Sequence, residues 1–446
     1  MATNYAPGPR GSLLLGNIPD MQRDTLGFVA GLARHYGDVA HFRLGPYHVH
    51  LISNPDYLHD MLVDRADLFP RGRYSRDLLS KSLGRGLLTT DGAYHRQQRR
   101  LAQPAFHQKR VGAYAESMVD LSRRLVESWQ PGQVYDIAQE MMKLTLYIVA
   151  KTLFNTDMTD GSASIIGSAV TDLQEFTNHE FQSLLSLPEW VPTAFNRRHK
   201  QAQAAMQREI MRMIEQHRAS GEDSGDLLSM LMLTSDEDSG QRMTDEQLLA
   251  ESLAILAAGH ETTANAMNFT WYLLAQHPEV EGKFREEVSR VLGGRLATFE
   301  DVPQLAYTNM IVKESMRLYP PAWAFNREPA EDVVIGGYTI RKGEMIMISP
   351  FALGHDPRYY DDPESFLPQR WADGLEKRLP RYVYIPFASG PHVCIGQQFA
   401  VMEAILLLAT IAQRYRLEPV PGYKLELDAL VTLRPRGGMP MRAVPC

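Results

Sequence analysis

One segment constrains this chain more than any other. Thr244, Asp245, Glu246 and Gln247 have the form of a helix capping box, and no proline follows until Pro278. That spacing predicts a helix of about 32 residues, roughly 48 Å long at 1.5 Å per residue. Its middle, residues 253–258, reads Leu-Ala-Ile-Leu-Ala-Ala and is apolar on every face. Such a helix runs through a core rather than along a surface.

The rest of the chain is read around it. From about 56 to 291 the apolar period is predominantly helical, with breaks at 70–72, 84–92, 161, 188–192 and 221–225. Ahead of this lie a rigid Pro-Gly-Pro loop at 7–11, a short helical stretch at 28–36 and β-like residues at 39–52. Behind it, Pro278 opens a helix that stops at Gly293 and Gly294, and a further helix at 308–319 ends on Pro320 and Pro321. Residues 333–340 form a hairpin across a Gly-Gly turn, with 344–349 as its expected pairing partner. An irregular stretch at 356–381 leads to a last apolar helix at 397–414. Length alone favours three domains of about 150 residues. No linker or repeat supports that division, so the fold class expected is mainly α. It is one large helical domain over 1–446 with a small β portion at roughly 37–55 and 325–350.

Composition narrows the function classes. With 44% hydrophobic and 22% charged residues the chain is globular. A net charge of −7 argues against a general nucleic-acid binder. The two cysteines, Cys394 and Cys446, exclude a disulfide framework, a zinc knuckle and an all-cysteine iron–sulfur site. The N-terminus has no targeting pattern, and the longest apolar run, 404–412, falls well short of the roughly 18 residues of a membrane span. A cytoplasmic protein without a membrane span is expected.

Cys394 lies in Phe387-Ala-Ser-Gly-Pro-His-Val-Cys-Ile-Gly396, bracketed by Gly390 and Gly396 just before a helix. Backbone N–H groups and a helix N-terminus favour a thiolate there, and glycines let a flat cofactor approach the backbone. The pattern resembles the haem-binding loop of the cytochrome P450 family. Three further motifs support the resemblance. Glu314-Ser-Met-Arg317 matches the family's E-x-x-R, with Arg370 in the place of the downstream arginine that completes a buried brace; Gln369 stands where Glu is common. Ala258-Gly-His-Glu-Thr-Thr263, in the middle of the long helix, is similar to the oxygen-activation motif. His95 and Arg99 align with W-x-x-x-R, His replacing Trp.

The resemblance implies the P450 fold, haem b and Cys394 as the thiolate ligand of its iron. Ala258 and Gly259 would open a groove for dioxygen, and Glu261 and Thr262 would deliver protons to it. Thiolate ligation favours O–O cleavage. His95, Arg99, Arg327 and His392 would meet the haem propionates, with Phe387 and Gly396 also in the cofactor loop. The two histidines make part of that neutralisation titratable. His260-Glu-Thr-Thr-Ala264 only begins like a zinc-protease motif, since position 264 is Ala.

The expected activity is insertion of one oxygen atom from O2 into a hydrophobic small molecule, a fatty acid or an isoprenoid. Over the haem the family's pattern places Ile255, Ala258, Thr262, Ala322, Trp323, Ala324 and Phe325, with a lid of Phe181, Leu184, Leu185, Leu187 and Trp190. Arg71, Arg73 and Arg76 are candidates to anchor a substrate carboxylate. No reductase domain is expected after the haem helix, so electrons would come from a separate ferredoxin or flavodoxin served by an NAD(P)H reductase. Arg96, Arg100, Lys109 and Arg110 are its candidate dock. A peroxide-driven peroxygenase and a non-enzymatic haem sensor or electron carrier are the alternatives. Retention of Glu261 and Thr262 favours the monooxygenase.

Overall fold

The capping box forms as the sequence predicts. In this computed structural model, which describes residues 4–155, 161–182, 188, 190–221, 223–236 and 240–446, the Thr244 hydroxyl accepts the Gln247 N–H. The Gln247 side chain in turn accepts the Thr244 N–H at 2.8 Å. The helix they start runs Asp245–Gln276, 32 residues. Contacts divide the chain into two compact units, one made of Met1–Ser75 and Lys313–Cys394, the other of Arg76–Val312 and Ile395–Cys446.

The first unit is built on a four-stranded sheet. Val39–Leu44 and Tyr47–Ile52 form an antiparallel hairpin turned at Gly45, whose φ of +58° suits glycine. Met345–Ile348 lies parallel to Tyr47–Ile52, and Phe325–Arg327 completes the sheet antiparallel to it. Val333–Ile335 and Tyr338–Ile340 make a separate two-stranded hairpin. The pairing of 344–349 with that hairpin is therefore a misreading. Ile346, Met347 and Ile348 are all buried, as in a strand covered on both faces, and such a strand belongs inside a sheet. Sequence proximity had suggested the nearer partner. Ile52, Leu58, Met61, Phe69, Ile346 and Ile348 form the apolar core of this unit.

In the second unit the long helix packs along Ile137–Phe154, and Gly161–Gln182 packs on Ala194–Ser220. The break expected at 221–225 is real: Ala194–Ser220 ends on Gly221 at φ +66°. Gln397–Ala412, two residues shorter than expected, is buried at every position from 402 to 412. Val134–Asp136, Pro440–Pro445 and Tyr415–Pro419 form a three-stranded sheet, and Leu427–Ala429 pairs with Leu433–Pro435. Among the described residues no helix is long and apolar enough to cross a membrane.

Candidate active site

The cysteine loop takes its shape from close backbone packing in the first unit. Gly390 sits at φ +68°, and a Cβ there would lie 1.8 Å from the Leu62 carbonyl oxygen, so no other residue fits. A short 3-10 turn, Gly390–His392, follows, with Val393 N–H bonded to Gly390 O at 3.0 Å. The Cys394 N–H then donates to Phe387 O at 2.9 Å, closing the loop behind a solvent-exposed cysteine. Gly396, at φ −88°, has a conformation open to any residue, so its presence is not a conformational demand. Arg327, on the edge strand Phe325–Arg327, is buried with its guanidinium 5.3 Å over the Phe325 ring.

The brace around Glu314 is larger than the sequence motif. Its two carboxylate oxygens meet Arg317 at 2.8 and 2.9 Å, Arg370 Nε at 2.8 Å, Trp371 Nε1 at 2.8 Å and the Leu367 N–H at 3.0 Å. Arg317 continues to the carbonyls of Gly354, Pro363 and Ser365 at 2.6, 2.6 and 2.9 Å. Both charges are fully buried, which is tolerable only because every lone pair and N–H is used. Sequence reasoning found Arg370 but missed Trp371, the next residue.

In the second unit the hexapeptide 258–263 is continuous helix. The Thr262 hydroxyl donates to Ala258 O at 2.6 Å, and the Thr145 hydroxyl donates to His260 O at 2.9 Å. Gly259 also answers a packing demand. A Cβ there would meet Val149 Cγ2 at 3.0 Å, so this glycine admits the helix Ile137–Phe154.

Glu261 is held on both oxygens. Thr432 donates to one at 2.6 Å, and Gln174 Nε2 donates to the other at 3.0 Å. The second hydrogen of the Gln174 amide points at His260 Nε2, 3.1 Å away, while His260 Nδ1 lies 3.0 Å from Leu256 O. That pattern needs His260 neutral with its proton on Nδ1, and burial lowers its pKa in the same sense. Asn265 Nδ2 donates to Thr432, and Glu261 and Asn265 border a cavity of about 410 Å³ with Asp136, Gln139, Asp428 and Arg434. Gln174 and Thr432 stand 87 and 171 residues from Glu261, and no sequence signal marks either.

His95 is buried on the helix Gly92–Ala102 and Arg99 follows one turn on. Between them Gln98 is fully buried, and neither atom of its amide has a hydrogen-bond partner. An orphaned buried amide beside a predicted propionate contact is what a missing polar group leaves behind. Among the described residues no three His, Cys, Asp or Glu side chains are grouped to hold a metal. An iron bound by Cys394 alone therefore needs its remaining ligands from a prosthetic ring, and these residues fit a haem. Of the other candidates, Trp323 is buried with its carbonyl bonded to Ser349, a structural position. Ile255, Ala322, Ala324 and Phe325 are half-exposed, and Trp190 is exposed. Leu184, Leu185 and Leu187 lie outside the described residues.

Helical fold and cysteine loop together define the class of haem-thiolate oxygenases. The chain belongs to the cytochrome P450 family, whose profile matches residues 6–438. It is 38% identical to cyclooctatin synthase of Streptomyces melanosporofaciens over 442 residues, covering 99% of this chain and 94% of that one. It is 37% identical to cyclooctat-9-en-7-ol 5-monooxygenase of the same organism, covering 95% and 91%. Pentalenene oxygenase of Streptomyces avermitilis is 31% identical, covering 94% and 93%. The protein is thus a P450 monooxygenase, an oxidoreductase of the haem-thiolate type.

Proposed function

We propose that this P450 oxygenates a cyclic terpenoid, using O2 and electrons from a separate ferredoxin or flavodoxin. The observation that carries the reading is the similarity, over more than nine-tenths of each chain, to enzymes whose names specify cyclooctat-9-en-7-ol and pentalenene. One of the three arginines offered as a carboxylate anchor is engaged elsewhere. Arg73 is paired with Glu328 at 2.9 Å, so its charge is already met within the first unit.

Haem, when bound, supplies reductive activation of dioxygen. Cys394 would hold its iron, and His95, Arg99, Arg327 and His392 would neutralise its propionates. Thr262 and Glu261 hold protons for the oxygen site. The Thr262 hydroxyl rests on Ala258 O, and Glu261 is fixed by Thr432 and Gln174 so that its carboxyl stays beside a polar cavity. Two of the four candidate donor-docking cations are held in ion pairs within the second unit. Arg100 is paired with Asp236 and Arg110 with Asp223, and Arg96 and Lys109 are exposed. The cytoplasm suits a chain whose two cysteines are unbridged.

The test is a spectral titration of the holoenzyme with pentalenene, cyclooctat-9-en-7-ol and palmitate, followed by turnover with a ferredoxin and its reductase. Displacement of iron-bound water and product from a terpenoid are expected. Binding and turnover of palmitate alone would overturn the reading, and turnover with peroxide but not with the donor would establish the peroxygenase.

A further inference from the structure

A second carboxylate on the long helix is used by none of these roles. Glu251 is fully buried, and both its oxygens accept the Leu87 N–H, at 3.0 and 3.2 Å. The backbone of Gly86 rests directly on the helix: a Cβ there would come 3.2 Å from Ala250 O and 3.3 Å from Glu251 Oε1. Around this attachment the segment is braced by itself. Gly86 N–H donates to the Thr89 hydroxyl at 2.9 Å, which donates to Gly84 O at 2.7 Å, and the Thr90 hydroxyl donates to Gly86 O at 2.8 Å. Residues 84–90 are therefore a small rigid unit, and Glu251 is its side-chain tie to the long helix.

Position on the helix gives that tie a purpose. Residues 251, 255, 258 and 262 are spaced by four, three and four, so they share one face. The tie is made at 251, on the face that carries Ala258 and Thr262 about two and three turns further on. The carboxyl meets the buried Leu87 N–H, which an apolar side chain would leave unpaired, although burial pushes its pKa up to about 7.

We propose that Glu251 is a specificity-setting positioning residue, which fixes the Gly86–Leu88 backbone over the oxygenation face of the long helix and so sets the room left for substrate there. The specificity part rests on the terpenoid reading above; the tether itself does not.

Holoenzymes of wild type, E251Q and E251A are compared by hydrogen exchange of the 86–88 amides and by the KM and kcat for pentalenene. Gln keeps an acceptor for Leu87, so E251Q should match wild type in both measurements. E251A should lose about tenfold in protection of the Leu87 amide and rise severalfold in KM, with kcat little changed. Should E251A not fold, G86A repeats the test by lifting the segment off Ala250 O with the carboxyl intact, and the same changes are expected. Unchanged protection and KM in the folded variant, or an E251Q as impaired as E251A, would overturn the proposal. If pentalenene does not bind wild type, the terpenoid reading fails while the exchange measurement still decides the tether.

Discussion

At the scale of single residues, the protein separates groups that look alike in sequence. Glu251 and Glu261 lie on one helix, yet the first is sealed against a backbone amide and the second is clamped beside a polar cavity. The clamp is the more vulnerable of the two. Thr432→Val keeps the shape and removes the donor to Glu261 Oε1, a net loss of about 1 kcal/mol, or about fivefold in the population of the held rotamer. Product formed per electron should fall severalfold, with the balance released as peroxide, while substrate affinity stays as in wild type. Equal coupling in T432V and wild type would show that Thr432 does not position Glu261.

Among the secondary-structure elements, the contact between the long helix and Ile137–Phe154 shows why a glycine is tolerated in a helix interior. Alanine at 259 would gain about 1 kcal/mol of helix propensity, but its Cβ would press on Val149 Cγ2 at 3.0 Å. The expectation is coupling. Gly259→Ala should be better tolerated by about 1 kcal/mol in a Val149→Ala background than in wild type, measured as chemical denaturation of the four proteins in the cycle. Additive effects would return Gly259 to a role at the oxygen site alone. The Glu314 brace works differently, gathering Arg317 from its own helix and Leu367, Arg370 and Trp371 from an irregular segment by charge-assisted bonds. A stretch with little regular structure is ordered by one buried carboxylate.

Over the whole molecule, the buried ionisable groups should write themselves into the pH dependence of stability. Burial raises the folded pKa of Glu251 from 4.5 to about 7. A raised carboxyl binds its proton more tightly when folded, so stability is full below about pH 4.5 and is lost as pH rises through about 7. The difference amounts to about 3 kcal/mol. Glu251→Gln removes that titration and should flatten the stability curve between pH 5 and 8 relative to wild type, by melting temperature or denaturant midpoint. Parallel curves for the two proteins would show that Glu251 is not buried in its charged form.

Much of this was legible in the chain itself, and for a physical reason. Capping boxes, prolines, glycines and apolar periods act between residues a few positions apart, so the long helix, its start at Thr244 and the helix from Pro278 follow from local chemistry. The cysteine loop, the Glu314 motif and the 258–263 hexapeptide were visible for the same reason, since each is a short contiguous pattern. Whatever depends on distant residues coming together was decided by the tertiary structure. The strand Met345–Ile348 left its neighbouring hairpin for Tyr47–Ile52, because a fully apolar strand needs partners on both sides. Gly259 proved to face Val149, and Thr432 and Gln174 were recruited to Glu261 from far along the chain. Sequence fixes which side chains are available and how each helix turns; packing alone determines which of them meet.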